Sequence, residues 1–253
     1  DPTVAAMAGK CRGSVTFFAV DKFHPVMATH RAQGQAVVYV ENGQIVASKG
    51  DLHQTIALAN IPITMGGLIP FQVENVMASV AAAWALGLDW NTIRDGLAGF
   101  SNDTDNAQGR FNLFTFRGAT VIADYGHNPD AMIALVQAVQ AMPAKRRLVV
   151  ISGAGDRRDQ DIRQQTEILG DAFDEVILYE DQCQRGRQDG EVIALLRQGL
   201  ANARRTTQSC EIKGEFLAID TAMDKLTAGD LCLILVDQVE EAMAHIAARV
   251  EKG

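Results

Sequence analysis

Apolar positions along this chain change their spacing as it proceeds, and each change marks an element. VTFFAV (15–20) is a short apolar run that predicts a strand. AVVYVENGQIVASK (36–49) predicts a hairpin, because Asn42-Gly43 supplies the two positive-φ residues that a tight turn demands. Over 71–87 the period lengthens: Val73, Val76, Met77, Val80, Ala81 and Trp84 recur at steps of three and four. That spacing is one face of a buried helix, stopped at Gly87. A shorter helix follows near 90–98. FSNDTDNAQG (100–109) is polar and rich in Asn, Asp and Gly, which predicts a linker.

Beyond the linker the pattern alternates. Apolar, β-rich runs at 119–123, 148–151, 176–179 and 231–236 are separated by helical patterns at 129–141, 159–170, 190–201 and 215–227. A last helical pattern covers 238–251. Near-continuous apolar strands alternating with helices predict an α/β fold, a mostly parallel sheet with helices on both faces. No internal repeat or low-complexity segment interrupts it.

Composition narrows the function classes. A hydrophobic share of 47% over 253 residues suits a folded, core-bearing protein of one large domain or two modest ones. The formal charge of −8 disfavours a partner made of phosphate backbone, so no nucleic acid is expected. No run approaches 18 apolar residues, so no membrane span is expected either. Cys11, Cys183, Cys210 and Cys232 lie far apart without a C-x-x-C pair, which predicts reduced thiols rather than a disulfide framework. The histidines show no metal-ligand spacing, with each other or with the cysteines. The chain opens Asp-Pro-Thr with no basic or apolar leader pattern, which predicts no signal peptide and a piece of a longer polypeptide.

Two loops carry candidate chemistry, both where a predicted strand runs into a helix. In sheets of this kind that edge is where ligands bind. In DYGHNPD (124–130), Asn128 caps a helix, Pro129 fits its first turn and Asp130 favours its dipole. Those residues do not account for Asp124, Tyr125, Gly126 and His127. A carboxylate at a strand end can accept hydrogen bonds from ribose hydroxyls, and a ring beside it can pack on a base. The bland alternative is a plain helix cap. In SGAGDRRDQDIR (152–163), Gly153 and Gly155 are expected to let backbone approach a ligand, with Arg157, Arg158 and Arg163 around Asp156 and Asp159. Its alternative is a solvated, self-paired loop.

Two phosphate-binding fingerprints do not occur. G-x-x-x-x-G-K-[ST] has no match, and after Gly153-Ala154-Gly155 come Asp156, Arg157 and Arg158, which breaks G-x-G-x-x-G. A dinucleotide oxidoreductase is therefore a poor reading.

The quoted residues resemble a known family. ADYGHNPDA (123–131) is similar to the signature that opens the C-terminal domain of the Mur ligase superfamily. PFQVENVMASVAAAWALG (70–87) resembles that superfamily's H-N-x-x-N helix, and Gly109-Arg110-Phe111 resembles its G-R-F junction element. VISGAGDRRDQDIRQQTEILGDAFDEVILYED (150–181), with GRFN and FQVENV, is similar to the cyanophycin synthetases within the superfamily.

The resemblance implies the C-terminal part of a Mur ligase ATPase domain over 1–108 and a Rossmann-like C-terminal domain over 109–253. It implies a cytoplasmic, homo-oligomeric, ATP- and Mg²⁺-dependent ligase that adds arginine to an aspartate polymer through an acyl phosphate. With the P-loop missing from these residues, the segment alone is expected not to catalyse ligation. Asn75 would meet adenine, Arg110 the phosphates and Asp124 the ribose, with Tyr125 and His127 lining the nucleotide side. Phe71 and Gln72 replace the first two residues of H-N-x-x-N. Arg157, Arg158 and Asp159 would face polymer or amino acid, and the C-terminal domain would swing on the linker near 100–109. A peptidoglycan or folylpolyglutamate Mur-type ligase, or a non-catalytic module keeping the fold, are the alternatives.

Overall fold

The computed structural model describes residues 1–103, 106–180 and 183–253. Thr104 and Asp105 of the linker stretch, and Asp181 of the 150–181 stretch, lie outside the described residues. The contacts divide the chain into two units, Asp1–Ser101 and Asn102–Gly253.

The first unit runs α1 (Pro2–Met7), β1 (Phe17–Ala19), α2 (Pro25–Ala32), β2 (Val37–Glu41), β3 (Gln44–Lys49), β4 (Leu52–Ala57), α3 (Pro70–Ala85) and α4 (Trp90–Gly99). Its sheet has the order β1-β2-β3-β4, with β1 parallel to β2 and the rest antiparallel. The expected hairpin is present: Asn42 (φ 50°) and Gly43 (φ 71°) turn β2 into β3, a geometry that favours these two residues. Helix α3 lays Val73, Val76, Met77, Val80 and Ala81 on Val38, Ile45, Ala47 and Ile56 of the sheet. Burying each larger side chain of that face stabilises by about 2 kcal/mol.

The second unit runs β5 (Asn112–Phe116), β6 (Ala119–Asp124), α5 (Pro129–Ala141), β7 (Arg147–Ile151), α6 (Asp159–Gly170), β8 (Glu175–Glu180), α7 (Glu191–Leu200), β9 (Gln208–Lys213), α8 (Glu215–Asp224), β10 (Leu231–Leu235) and α9 (Val239–Lys252). Its sheet has the order β5-β6-β10-β7-β8-β9. Every neighbouring pair is parallel except β5 with β6. The last strand made is thus inserted in the middle, between β6 and β7.

Side chains alternate across a strand. Val121, Ala123, Leu148, Val150, Ile177, Tyr179, Cys232 and Ile234 form one cluster with Ala218, Ile219 and Met223 of α8 and Met243 and Ile246 of α9. The intervening Ile122, Val149, Ile151, Val176, Leu178, Leu233 and Leu235 are as deeply buried and turn to the side of α5, α6 and α7. Helices therefore cover both faces, as the alternation predicts.

Strands β4, β5 and β9 go beyond the sequence pattern. The burial of β9 alternates between exposed and half-buried along its length, so it carries too little apolar signal to read as a strand. The four cysteines are free thiols; Cys232 is buried, and burial pushes its thiol up to about 12. Among the described residues no helix is long and apolar enough to cross a membrane.

Candidate functional site

Strands β6 and β10 are neighbours, yet the chain leaves them toward opposite faces, into α5 and α9. The two loops consequently emerge side by side at the carboxyl edge, the switch point where such sheets open a crevice. The Val236 N–H donates to the Asp124 carbonyl (2.9 Å) and ties the loops together.

Asp124 ends β6 with a buried carboxylate. Its Oδ1 accepts the Gly126 N–H (2.6 Å) and its Oδ2 accepts the Phe111 N–H (2.9 Å). The Tyr125 N–H donates to the Gly109 carbonyl (2.8 Å). The Gly-Arg-Phe turn is thus fastened to the end of β6 at two points. Phe111 is fully buried with φ 55°, a left-handed conformation that costs energy for a bulky residue and needs such fastening. Gly109 sits at φ 67°, and a Cβ there would lie 2.8 Å from Val239 Cγ1. Burial raises the Asp124 carboxyl above its ordinary range, against the lowering pull of the Gly126 and Phe111 N–H groups and of Arg110 and His127.

Around this brace stand Arg110, Tyr125 and His127. The Arg110 guanidinium lies over the Tyr125 ring (5.7 Å), and the Tyr125 and His127 rings are 4.4 Å apart. His127 Nδ1 is 2.6 Å from the Tyr125 carbonyl; that oxygen only accepts, so Nδ1 carries the hydrogen. His127 Nε2 faces Asp237 Oδ1 at 3.4 Å. Asp237 also pairs with Arg185 (2.6 Å), whose guanidinium lies near enough to Tyr125 to interact with it and reaches Asp156 at 3.8 Å. Buried Glu215 accepts the Asp237 and Gln238 N–H groups (2.8 and 3.1 Å), which sets the loop after β10.

Four of the residues expected at the nucleotide, Arg110, Asp124, Tyr125 and His127, thus converge on one edge. The fifth, Asn75, belongs to the first unit. It is exposed on α3 and donates to Oε1 of buried Gln72 (3.1 Å), one helical turn back.

The loop after β7 corrects an expectation. The absence of a side chain at Gly153 and Gly155 is accounted for by close packing within the protein. A Cβ on Gly153 would meet Val192 at 2.8 Å and Ile162 at 3.1 Å, and one on Gly155 would meet the Gln184 carbonyl oxygen at 2.1 Å. These glycines let the loop pack against its own neighbours. The charged residues pair among themselves as well. Arg158 forks onto Asp161 (2.9 and 2.8 Å) and Asp159 pairs with Arg187 (2.8 Å). Arg187 also donates to the Gly155 and Arg157 carbonyls (2.7 and 2.8 Å). Arg157 is exposed. The self-paired reading describes Arg158 and Asp159 as they stand.

Arg185, Asp237 and Glu215 were not legible as site residues. They come from three separate loops or helix starts with no common spacing, and only the strand order gathers Asp237 and Arg185 beside Tyr125. Among the described residues no three His, Cys, Asp or Glu side chains converge to hold a metal ion.

Comparisons with known proteins give the family. The family described as Mur ligase, glutamate ligase domain, matches residues 109–236. A cyanophycin synthetase of Geminocystis herdmanii is 36% identical over 97% of this chain, and one of Synechocystis is 34% identical over all of it. The chain spans 28% and 29% of those two relatives. Among solved structures, E. coli FolC in complex with ADP, without folate substrate, is 25% identical with a TM-score of 0.64, over 90% of this chain and 52% of that one.

Proposed function

Since the chain belongs to the Mur ligase family, we propose that it supplies the nucleotide-facing C-terminal portion of an ATP-dependent amide-forming ligase of the cyanophycin synthetase kind. The reaction joins arginine to an aspartate polymer: ATP phosphorylates the acceptor carboxylate, the amine attacks the acyl phosphate, and phosphate leaves. The observation that carries this reading is the cluster of Arg110, Tyr125 and His127, held by Asp124 at the sheet's switch point. The identity of about a third to cyanophycin synthetases over nearly the whole chain supports the choice of reaction. A diaminopimelate ligase of Alkaliphilus metalliredigens, at 26% over 94% of the chain, supports the broader class.

In this reading Arg110 meets the nucleotide phosphates, as a guanidinium suits developing negative charge. Tyr125 and His127 line the nucleotide. Each Asp124 oxygen already accepts one N–H and keeps room for a second hydrogen bond, from a ribose hydroxyl. Asn75, held by Gln72, meets the adenine edge. Arg157, exposed, faces the acceptor; Arg158 and Asp159 join it only by leaving their present partners. Residues 1–108 then act as part of the ATPase domain. Mg²⁺ and the phosphate cradle come from outside these 253 residues, which contain no G-x-x-x-x-G-K-[ST]. The ligase works as a cytoplasmic homo-oligomer.

Calorimetric titration of the chain with ADP tests the proposal. Weak, saturable binding that falls about tenfold in Arg110→Ala is expected, the size of one lost charge-assisted contact. Binding unchanged by Arg110→Ala removes that residue from the nucleotide site, and no ligation by this chain alone is expected.

A further inference from the structure

Asn112, the residue after Gly-Arg-Phe, is the first residue of β5 and is buried to 1% exposure. Its amide is fully used. Nδ2 donates to the carbonyls of Asn102 (2.9 Å), Asp103 (3.2 Å) and Ala107 (2.9 Å). Its Oδ1 accepts the Arg110 N–H (3.2 Å), which is shared with the Ala107 carbonyl (3.2 Å). One side chain therefore gathers three carbonyls that precede the Gly-Arg-Phe turn and one N–H within it.

The strand register explains why this residue does it. Asn112 pairs with Ala123 across the β5–β6 ladder, so Phe111 falls beside Asp124; one residue out of that register, the Gly109 carbonyl accepts the Tyr125 N–H. The backbone around Arg110 is thus held from two sides. Asp124 holds Phe111 on the C-terminal side, and Asn112 holds the stretch on the N-terminal side. A buried primary amide suits the second task, because it alone offers two N–H donors and an acceptor without charge. An aspartate there would set a carboxylate against three carbonyls, and an aliphatic residue would leave them unpaired.

We propose that Asn112 is a positioning residue for Arg110: it clamps the Asn102, Asp103 and Ala107 carbonyls to the start of β5 and so fixes where the Arg110 side chain is presented. The clamp stands on the hydrogen bonds alone. Its effect on nucleotide binding rests on the reading of Arg110 above.

Trypsin digestion of the folded 253-residue chain, read by mass, tests the clamp. Cleavage after Arg110 is expected to rise about tenfold in Asn112→Ala, as local opening becomes easier. Cleavage after Arg117, in the β5–β6 turn, serves as the internal control and is expected to stay unchanged. An unchanged rate at Arg110, or an equal rise at both sites, overturns the clamp. If Asn112→Ala does not fold, Asn112→Ser, which keeps a donor and an acceptor, is put through the same digestion with the same criteria.

ADP titration then tests the link to Arg110. The dissociation constant is expected to weaken several-fold in the Asn112 variant, and the double variant with Arg110→Ala to bind no worse than Arg110→Ala alone. Additive losses would overturn the positioning role. If the wild type binds no ADP while the digestion behaves as expected, the nucleotide reading fails and the clamp stands.

Discussion

Two loops leave the same edge of the second unit's sheet, after β6 and after β7, and they are organised in opposite ways. In the first, backbone groups and a buried carboxylate fix each member: Asp124 takes two N–H groups, Tyr125 is tied to Gly109, and His127 to the Tyr125 carbonyl. In the second, packing fixes the glycines, while the charges lie outward and satisfy one another; the Arg158 side chain is 81% exposed. The contrast separates two meanings of a charged loop. A group held by buried partners keeps its geometry when a ligand arrives, whereas an exposed pair must first be broken and has little strength to lose.

The comparison can be broken by substitution. Asp124→Ala should be the most costly change, at about 3 kcal/mol in urea unfolding, because two buried N–H groups lose a charged acceptor. A loss well under about 1 kcal/mol would erase the difference between the loops. The same residue fixes a sign with pH. Because burial raises the folded Asp124 carboxyl, the folded state keeps that proton longer than the unfolded chain. The stability difference between wild type and Asp124→Ala should therefore shrink as pH rises through the carboxylate range to the raised value, then level off. Asp161 has the opposite sign, since its hydrogen bond from Arg158 lowers it; that pair helps above the ordinary range and is lost as pH falls.

Gly155→Ala should come next, at about 2 kcal/mol in the same assay, because the added methyl must displace the Gln184 carbonyl. An unchanged midpoint would mean that the second loop gives way more readily than its packing indicates. Arg158→Ala should be the smallest, with no measurable change in thermal midpoint, since the Arg158 side chain itself lies in solvent and an ion pair there is worth little.

What the sequence disclosed follows the same division. Strongly apolar elements such as β6, β7, β8 and β10 were legible because burial on both faces leaves a continuous run. Helix α5 was legible to its cap, where the Asn128 side chain accepts the Ala131 N–H. Strands β5 and β9 lie at the two ends of the sheet order, where one neighbour suffices and the apolar pattern thins. Asp124, Tyr125 and His127 stood out as unexplained by capping and Arg110 through the resemblance of Gly-Arg-Phe, and the fold gathers them. Asp237 and Arg185 did not stand out, because their meeting depends on β10 entering between β6 and β7. The glycines after β7 were misread for a related reason: small residues look alike in sequence whether they admit a ligand or a neighbouring chain segment.

That insertion of β10 also bears on how the sheet is closed. Strands β6 and β7 both precede Leu231 in the chain, yet they touch only through β10, which follows them. Without β10, nothing in the strand order joins β5 and β6 to β7, β8 and β9, and the borders that β6 and β7 turn toward it are rich in Val, Ile and Leu. Closure of this edge accordingly waits on β10, and Asp237 comes immediately behind the strand that fills the gap.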